Sequence, residues 1–449
     1  MALRSFLLLT LVLALAVAAS PIRVRNNRIT LPMARRTNHL GIRKVLQNDR
    51  NRAALLQGGR QALREAKKHH KGKGNAGGAA ANANATATAG AAAANGTAAA
   101  NGTLASDDNV AATNQGEDYV ISVGVGNPPT TYNLLVDTGS SNTWVGADTN
   151  KPFVQTSTSK STGQQVEVSY GSGAFAGEEF EDDVQLGGLT ISGQSIGAAT
   201  EAQGFTGVDG IVGIGPTDLT VGTVGGQNSQ TQVPTVTDNL FSQGIIGENL
   251  VSVFFAPATS ANDTNGELTF GSVDDSKTVG NVAFTPLTTT APASQFWGID
   301  QSITYGSSNT TILDTTAGIV DTGTTLILMA TDAFQAYQQA TGATQDQTTG
   351  LLTISNADFN NLQSLFFNIG GQSYELTANA QIWPRALNSV IGGNNDQIYM
   401  VVSDIGTNSG QGLDFINGFS FLERYLSVYD TANNQVGFAA TQFTNATTN

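Results

Sequence analysis

The sequence contains no cysteine, which excludes disulfide bonds, thiolate metal sites and cysteine nucleophiles. Its three histidines, His39, His69 and His70, all lie among the first 73 residues. The rest of the chain therefore has neither a Ser-His-Asp triad nor a histidine-ligated metal site. After residue 20 no apolar run reaches about 18 residues, the length that a membrane-spanning helix needs, so we expect no membrane partner.

The first 20 residues have the pattern of a secretory signal peptide. Arg4 precedes an apolar run over residues 6–19, and small residues lie near the end of this run. We therefore expect residues 1–20 to be removed and the product to be secreted into the extracellular medium.

Charge divides the remaining chain into two parts. Residues 21–73 carry 15 Lys and Arg against two acids, Asp49 and Glu65, whereas the chain from Gly74 onward carries five against 33. A basic arm often binds nucleic acid or an anionic surface. Behind a signal peptide and before an acidic body, an intramolecular electrostatic cap is the better interpretation. Residues 21–73 are thus predicted to be a prosegment that inhibits the chain's own body, with no nucleic-acid partner.

Residues 74–105 consist mainly of Ala, Gly, Asn and Thr, without a periodic apolar face. Such a segment cannot bury enough surface to fold alone, so we expect a linker that belongs to the propeptide. Asn-X-Ser/Thr sequences mark candidate N-glycosylation sites in this linker and in the body. They are Asn84, Asn95, Asn101, Asn262, Asn309 and Asn445.

From about residue 106 the sequence has short alternating or apolar runs separated by Gly, Asn, Ser and Thr, a pattern typical of an all-β domain. These runs are residues 119–125, 132–136, 165–170, 184–191, 250–255 and 267–270. Short helical signals lie at residues 236–243, 331–341 and 356–362. The body is long enough to form a core without disulfides, and we expect it to be a monomer.

One phrase occurs twice in this β-rich region: an apolar strand followed by Asp-Thr-Gly and two hydroxyl residues. The copies are Asp137-Thr138-Gly139-Ser140-Ser141 and Asp321-Thr322-Gly323-Thr324-Thr325. Glycine allows the tight turn that places the aspartate beyond the end of the sheet. A single copy would be explained by a solvated turn. Two copies behind buried-looking strands predict two similar lobes, residues 106–285 and 286–449, with a cleft between them.

Two carboxyl groups in one cleft suit acid and base catalysis. Because like charges a few ångströms apart cannot both ionise cheaply, Asp137 and Asp321 are expected to share a proton in acid. The ionised carboxylate can then deprotonate a water while the neutral carboxyl protonates a peptide carbonyl, without a cofactor or metal. Neighbouring threonines are expected to join the two loops, and hydroxyl groups to bond the outer carboxylate oxygens. The residues expected to support the dyad are Thr138, Gly139, Ser140, Thr322, Gly323 and Thr324.

A second motif, Tyr170-Gly171-Ser172-Gly173, has the composition of a hairpin turn. Its two glycines allow a mobile tip that can close over a bound peptide. Tyr170 combines ring area with a hydroxyl group, and the indole N–H of Trp144 is able to fix that hydroxyl. Taken alone, these residues also fit an ordinary hairpin with two core aromatics.

The motifs resemble those of the pepsin-like aspartic endopeptidases, most closely the basidiomycete polyporopepsin group, over nearly all of residues 117–438. Residues 136–145 and 319–326 resemble the two active-site signatures, residues 168–173 the flap hairpin, residues 209–215 the segment behind the first Asp loop, and residues 30–36 the opening strand of a zymogen prosegment. The resemblance implies a bilobal all-β fold and a secreted endopeptidase that is made as a zymogen, acts on polypeptides and works in acid.

The resemblance also places Leu135, Tyr170 and Phe175 around the substrate residue before the scissile bond. Relatives that accept a basic residue there have an Asp two positions after the flap Tyr, where this chain has Ser172. We therefore expect cleavage between large hydrophobic residues. One departure stands out: the second segment behind an Asp loop carries Asn417, where many relatives have an apolar residue.

Three other interpretations of the sequence were open. A pepsin-like binding protein without activity would be expected to lose an Asp, the flap Tyr or the Gly that follows it, and all are present. A glycosylated wall protein on an Ala-rich stalk leaves the paired signatures unexplained. A glycosidase with two carboxylates is not excluded by the sequence, because the sequence does not give the distance between them.

Overall fold

The computed structural model describes residues 28–36, 42–58, 118–171, 173–258, 260 and 264–449. The predicted signal peptide, the linker, Ser172, and the candidate glycosylation sites Asn84, Asn95, Asn101 and Asn262 lie outside the described residues. No helix among the described residues is long and apolar enough to cross a membrane.

The described residues form 23 strands and five α-helices. The strands are β1 (Ile29–Arg36), β2 (Asp118–Val125), β3 (Thr130–Asp137), β4 (Thr143–Val145), β5 (Lys160–Ser169), β6 (Ala174–Leu186), β7 (Leu189–Gln203), β8 (Gly210–Gly213), β9 (Leu250–Phe255), β10 (Gly266–Phe270), β11 (Val279–Pro286), β12 (Gly298–Tyr305), β13 (Thr310–Val320), β14 (Ile327–Met329), β15 (Thr344–Gln345), β16 (Leu352–Ile354), β17 (Leu365–Ile369), β18 (Gln372–Leu376), β19 (Ile398–Tyr399), β20 (Val402–Asp404), β21 (Phe415–Asn417), β22 (Tyr425–Asp430) and β23 (Gln435–Ala440). The helices are α1 (Ile42–Gln57), α2 (Val236–Ser242), α3 (Thr331–Thr341), α4 (Asn356–Phe359) and α5 (Phe419–Leu422).

Two large sheets make the architecture mainly β. The first has 13 strands in the order β11-β23-β22-β9-β10-β1-β2-β3-β8-β4-β7-β6-β5, and the second has seven in the order β18-β17-β12-β13-β21-β14-β20. A small third sheet contains β15, β16 and β19. The last two strands of the chain thus return to the first sheet beside β9, so the two halves share one set of strands.

Strand β1, from the basic segment, lies in the middle of the first sheet. Its first residues pair with β10, with Leu31 opposite Leu268, and its last residues pair with β2, with Ala34 opposite Val120. Ile29 and Met33 are buried on the same face as Leu31. This alternation is what a strand with one face on the core requires.

The predicted helices are present at α2, α3 and α4, with ends that differ by no more than three residues. The apolar run over residues 184–191 is not one strand, because Gly187 and Gly188 form the turn between β6 and β7. Both glycines have positive φ, 54° and 83°, which a strand interior does not allow. Sequence reasoning did not identify α1.

Helix α1 has an apolar stripe that explains why this basic segment folds. Ile42, Leu46, Ala53 and Leu56 are buried at helical spacing. Asp49 lies on the same stripe and is also buried. The helix therefore packs on the body with a carboxyl group inside the contact.

Candidate active site

Strands β3 and β13 bring the two aspartates to one place. Each strand is held by a parallel neighbour: Asp137 is opposite Gly213 on β8, and Val320 is opposite Asn417 on β21. The backbone N–H of Asp321 donates to the carbonyl of Asn417 at 3.2 Å. Both aspartates have no exposed surface.

The two loops are joined by a reciprocal exchange between threonines. The backbone N–H of Thr138 donates to Oγ1 of Thr322, and the N–H of Thr322 donates to Oγ1 of Thr138, both at 3.0 Å. Each hydroxyl then donates across the junction, to the carbonyl of Val320 at 3.2 Å and of Val136 at 2.9 Å. Four buried hydrogen bonds therefore fix the two aspartate loops relative to each other.

Equivalent groups support each carboxyl. Asp137 accepts hydrogen bonds from the Gly139 N–H at 2.9 Å and from the Ser140 hydroxyl at 2.6 Å. Asp321 accepts from the Gly323 N–H at 3.1 Å and from the Thr324 hydroxyl at 2.6 Å. The six residues expected to support the dyad thus all lie at the two loops.

Arg52 of α1 contacts both carboxyl groups. Its Nη2 donates to Oδ1 of Asp137 at 2.5 Å and to Oδ1 of Asp321 at 2.9 Å, while Nε donates to Oδ2 of Asp321 at 2.6 Å. Arg52 is 8% exposed. Its pKa is raised: burial opposes the charge, but the two adjacent carboxylates outweigh burial.

Burial and Arg52 move the pKa values of the dyad in opposite directions. Burial raises the pKa of Asp137, and the charge of Asp321 adds to this effect, which outweighs the attraction of Arg52. Burial also disfavours the ionised form of Asp321, but attraction and hydrogen bonds from Arg52 prevail, so the pKa of Asp321 lies below its ordinary value. The pair therefore favours one ionised carboxylate beside one neutral carboxyl.

Asp49 lies one helical turn before Arg52 and contacts the second aspartate loop. Its two carboxylate oxygens accept from the backbone N–H groups of Thr325 at 3.3 Å and Leu326 at 3.0 Å. Burial raises the pKa of Asp49 to about 7, although these hydrogen bonds act in the opposite direction.

The hairpin between β5 and β6 places Tyr170 over an aromatic cluster. The indole N–H of Trp144 donates to the Tyr170 hydroxyl at 2.9 Å. The Trp144 ring stacks on Phe175 with ring centroids 4.2 Å apart, and Leu135 packs against the same cluster. Phe205 contacts the rings of both Trp144 and Tyr170 edge-on, with centroids at 4.9 and 5.3 Å.

The tip of this hairpin also contacts α1. A Cβ atom at Gly171 would lie 2.1 Å from Cα of Arg52 and 2.3 Å from its N and Cβ atoms. Only glycine fits such an approach without a shift of the backbone. A cleft adjoins this contact, lined by Leu55 and Leu56 of α1 and by Leu219 of the body, among others.

Comparisons with known proteins identify this arrangement. The sequence model of the family described as Eukaryotic aspartyl protease matches residues 118–441. The chain belongs to this family.

Two relatives show how far the likeness extends. The chain is 62% identical to polyporopepsin of Irpex lacteus over 341 residues, which cover 76% of this chain and 99% of that protein. It is 30% identical to pepsin A of Rhinolophus ferrumequinum over 338 residues, 72% of this chain and 81% of that one.

A solved structure agrees with these relatives. The crystal structure of the aspartic proteinase from Irpex lacteus matches with a TM-score of 0.72 and 62% identity, covering 74% of this chain and 96% of that chain. The predicted family, the bilobal mostly β fold and the assignment as an aspartic endopeptidase are therefore confirmed. Membership of the aspartyl protease family also excludes the glycosidase.

Sequence reasoning about this aspartyl protease missed several residues at the site. Arg52 was one basic residue among 15, and Asp49 was counted as an acid without a role. The helical spacing of apolar residues in α1 was the signal that could have placed both on the docked face. Phe205 follows a Gly in a region of weak pattern, so no local signal marks it.

Two candidate glycosylation sites lie among the described residues. Asn309 is exposed in the turn between β12 and β13, and Asn445 is exposed near the end of the chain. Both side chains are thus accessible at the surface of the protease.

Proposed function

We propose that this aspartic endopeptidase is secreted as a zymogen and cleaves extended polypeptides in acid, with Asp137 and Asp321 activating a water. The observation that carries the proposal is the position of a single nitrogen, Nη2 of Arg52. It lies 2.5 Å from Oδ1 of Asp137 and 2.9 Å from Oδ1 of Asp321. A water at this position would touch both carboxyl groups.

The chemistry follows from one ionised and one neutral carboxyl at that water. The carboxylate takes a proton from the water as its oxygen attacks the scissile carbonyl carbon, and the neutral carboxyl gives its proton to the carbonyl oxygen. The result is a neutral tetrahedral diol, with no covalent bond to the enzyme. Collapse of the diol, with a proton passed to the amide nitrogen, releases the two peptide products.

The residues around the dyad have separate tasks in this proposal. The threonine exchange of Thr138 and Thr322 fixes the distance between the carboxyls. Ser140 and Thr324 hold the outer oxygens, so the inner oxygens face the water. The adjacent glycines leave room for the carboxyl group of the opposite loop, since a Cβ at Gly139 or Gly323 would lie within 2.8 Å of a carboxylate oxygen there.

The basic segment is proposed to inhibit the enzyme that it precedes. Arg52 occupies the place of the reactive water, and α1 lies where the flap would close over a peptide. Protonation of the carboxylates in acid removes the negative partners of Arg52, so the attraction falls. The enzyme then cleaves itself free in the segment of residues 103–109, which lies outside the described residues.

Substrate preference is proposed from the aromatic cluster. Leu135, Tyr170 and Phe175, with Trp144 and Phe205 behind them, form a mainly apolar wall. Such a surface favours Leu, Phe and similar side chains before the scissile bond. The substrate backbone would bind as an extended strand.

Asparagine variants of the dyad test the catalytic part of this proposal. Asp137→Asn and Asp321→Asn each keep the size of the side chain but remove the proton exchange. We expect turnover of a Phe-X peptide to fall at least 1,000-fold, because general acid and general base catalysis act on one water and the loss of either carboxyl group stops both. An unchanged melting temperature would show that the fold is intact, and near-normal turnover in either variant would refute the assignment.

A further inference from the structure

A pair of buried amides lies behind the second aspartate loop. Nδ2 of Asn417 donates to Oε1 of Gln301 at 2.8 Å, and Nε2 of Gln301 donates to Oδ1 of Asn417 at 3.2 Å. Gln301 is 1% exposed and Asn417 has no exposed surface. Each amide is therefore both donor and acceptor to the other in a site without water access.

The two amides lie on the strands that flank the strand leading to Asp321. Gln301 is on β12, opposite Thr316 of β13, and Asn417 is on β21, opposite Val320 of β13. Paired residues share a face of the sheet, and so do residues two apart along a strand. Thr316, Gly318 and Val320 hence lie on the same face as both amides, and the pair crosses β13 on that face.

Glycine at position 318 of β13 allows close packing against Phe415 of β21. A Cβ atom there would lie 2.4 Å from the carbonyl oxygen of Phe415 and 2.5 Å from its ring. The backbone of Asn417 has a further role, because its carbonyl accepts the N–H of Asp321 at 3.2 Å. The same residue thus holds β12 through its side chain and the catalytic loop through its backbone.

Hydrogen bonds give this contact a directionality that an apolar pair lacks. Two apolar side chains can slide past each other at little cost, whereas a shift of β21 against β12 would leave buried amide groups without partners. Amides also do not titrate, so the contact is unchanged over the acid range in which nearby carboxyls gain protons.

We propose that Gln301 and Asn417 are positioning residues for Asp321, which they hold in register with Asp137 by fixing β21 across β13. This proposal rests on the catalytic role proposed above for Asp321. Neither amide touches the reacting atoms, so its effect belongs in the rate of the chemical step and not in substrate affinity.

The test replaces both amides by apolar residues of similar size, Gln301→Met with Asn417→Leu. No polar group is then left unpaired, and this double variant is expected to fold with wild-type or higher stability. We expect kcat per active site, counted by titration with a statine-type inhibitor, to fall 10- to 100-fold, because small misplacements of a catalytic group cost rates of this order. KM should stay within about twofold, since the substrate-binding surface is untouched.

A swapped pair provides the rescue. Gln301→Asn with Asn417→Gln keeps both amides and the combined length of the two side chains, so kcat should recover to within about fivefold of wild type. A swapped pair as slow as the Met/Leu pair would overturn the proposal, because side-chain shape and not hydrogen bonding would then be decisive.

The decisive measurement is kcat per active site. A Met/Leu variant with wild-type kcat per active site would show that the amides do not position Asp321, and the proposal would be wrong. Asp321→Asn separates this failure from failure of the dyad: normal turnover there would refute the catalytic role of Asp321, whereas normal turnover in the Met/Leu variant refutes only the positioning.

Discussion

Asp49 and Arg52 lie one turn apart on α1 and contact opposite ends of the loop that begins at Asp321. Arg52 donates to the Asp321 carboxyl at 2.6 and 2.9 Å, while Asp49 accepts backbone N–H groups from Thr325 and Leu326. The helix thus places a positive and a negative group on one catalytic loop, and the carboxyl groups in these two contacts, Asp321 and Asp49, have pKa values that move in opposite directions.

We expect Arg52→Gln to weaken docking of α1 on the body about 100-fold, since removing one partner of a buried ion pair costs about 3 kcal/mol. The rate at which a statine-type inhibitor binds the intact precursor at pH 6.5 measures this loss. Arg50→Gln is the matched control, because Arg50 lies on the same helix and donates to the backbone carbonyl of Asp404. Equal inhibitor binding in both variants would contradict the proposed block.

Asp49 is expected to make docking weaker as pH rises. Its pKa is raised to about 7 in the docked helix, mainly by burial, and its ordinary value is 3.8. Docking of α1 therefore takes up a proton at Asp49. Asp49 opposes docking least below about pH 4 and progressively more as pH rises to about 7. The effect of Asp321 on docking has the opposite dependence on pH. Because its pKa is lowered in the docked state, its ionised form favours docking, and this contribution disappears only in stronger acid. Docking should consequently be strongest in mild acid.

Trypsin sensitivity of α1 measures this effect. Asp49→Asn removes the group that ionises. The ratio of the wild-type cleavage rate to the variant cleavage rate should therefore rise about tenfold between pH 6 and 8.5, because about one pKa unit of the shift acts on docking in this range. Asn51→Asp places a carboxyl at an exposed position of the same helix and should show a constant ratio. A constant ratio for Asp49→Asn would exclude Asp49 as the titrating group.

Glu179 is expected to limit the stability of the first sheet near neutral pH. It is 3% exposed on β6, its Oε1 accepts from the Ser195 hydroxyl, and its Oε2 has no partner among the described residues. Burial raises its pKa to about 7, against an ordinary 4.5. The folded state therefore holds this proton more tightly, and stability is lost as pH rises from about 4.5 through 7.

Glu179→Gln should remove this loss without changing stability in acid. The shift corresponds to about 3 kcal/mol at most, so the melting temperature of the mature enzyme at pH 7 should rise by several degrees. At pH 4 the variant and the wild type should melt within about 1 °C of each other. Glu178→Gln, at the exposed neighbouring position, is the control, and an equal gain there would assign the effect to net charge.

The sequence predicts the dyad loops well because their chemistry is local. An apolar strand, an aspartate, a glycine turn and two hydroxyls follow one another within eight residues, so Asp137 and Asp321 need no knowledge of the fold. The partnership of Thr138 with Thr322 follows once the two loops are assumed to meet.

Contacts between distant segments were beyond this reasoning. Phe205 meets Trp144 and Tyr170 because β7, which ends just before it, pairs with β4 and β6, and Arg52 reaches the dyad because α1 docks on the body. Asn417 was noticed as a departure, but its partner Gln301 is 116 positions away on another strand. Charge counting indicated a basic segment in front of an acidic body, but it gave no sign that the acid Asp49 lies on the docked face of α1.

The last prediction concerns the flap position Ser172, which lies outside the described residues. Tyr170, two positions earlier, packs in the same apolar cluster as Trp144 and Phe175. A serine hydroxyl at position 172 cannot neutralise an ammonium group of the substrate, and an unpaired charge is costly beside an apolar surface. We therefore expect kcat/KM for a Lys-X peptide to be at least 100-fold below that of its Phe-X counterpart, a difference of about 3 kcal/mol.

Ser172→Asp should raise kcat/KM for the Lys-X peptide about fivefold while leaving the Phe-X value within about threefold, because an ion pair that keeps contact with solvent contributes about 1 kcal/mol. Ser172→Asn is the matched control, since it has the size of Asp without the charge and should leave the Lys-X value low. The gain should also shrink as pH falls below about 4, where the introduced carboxyl takes up a proton. A native enzyme that cleaves Lys-X and Phe-X peptides equally well would show that the residue before the scissile bond does not bind against this wall.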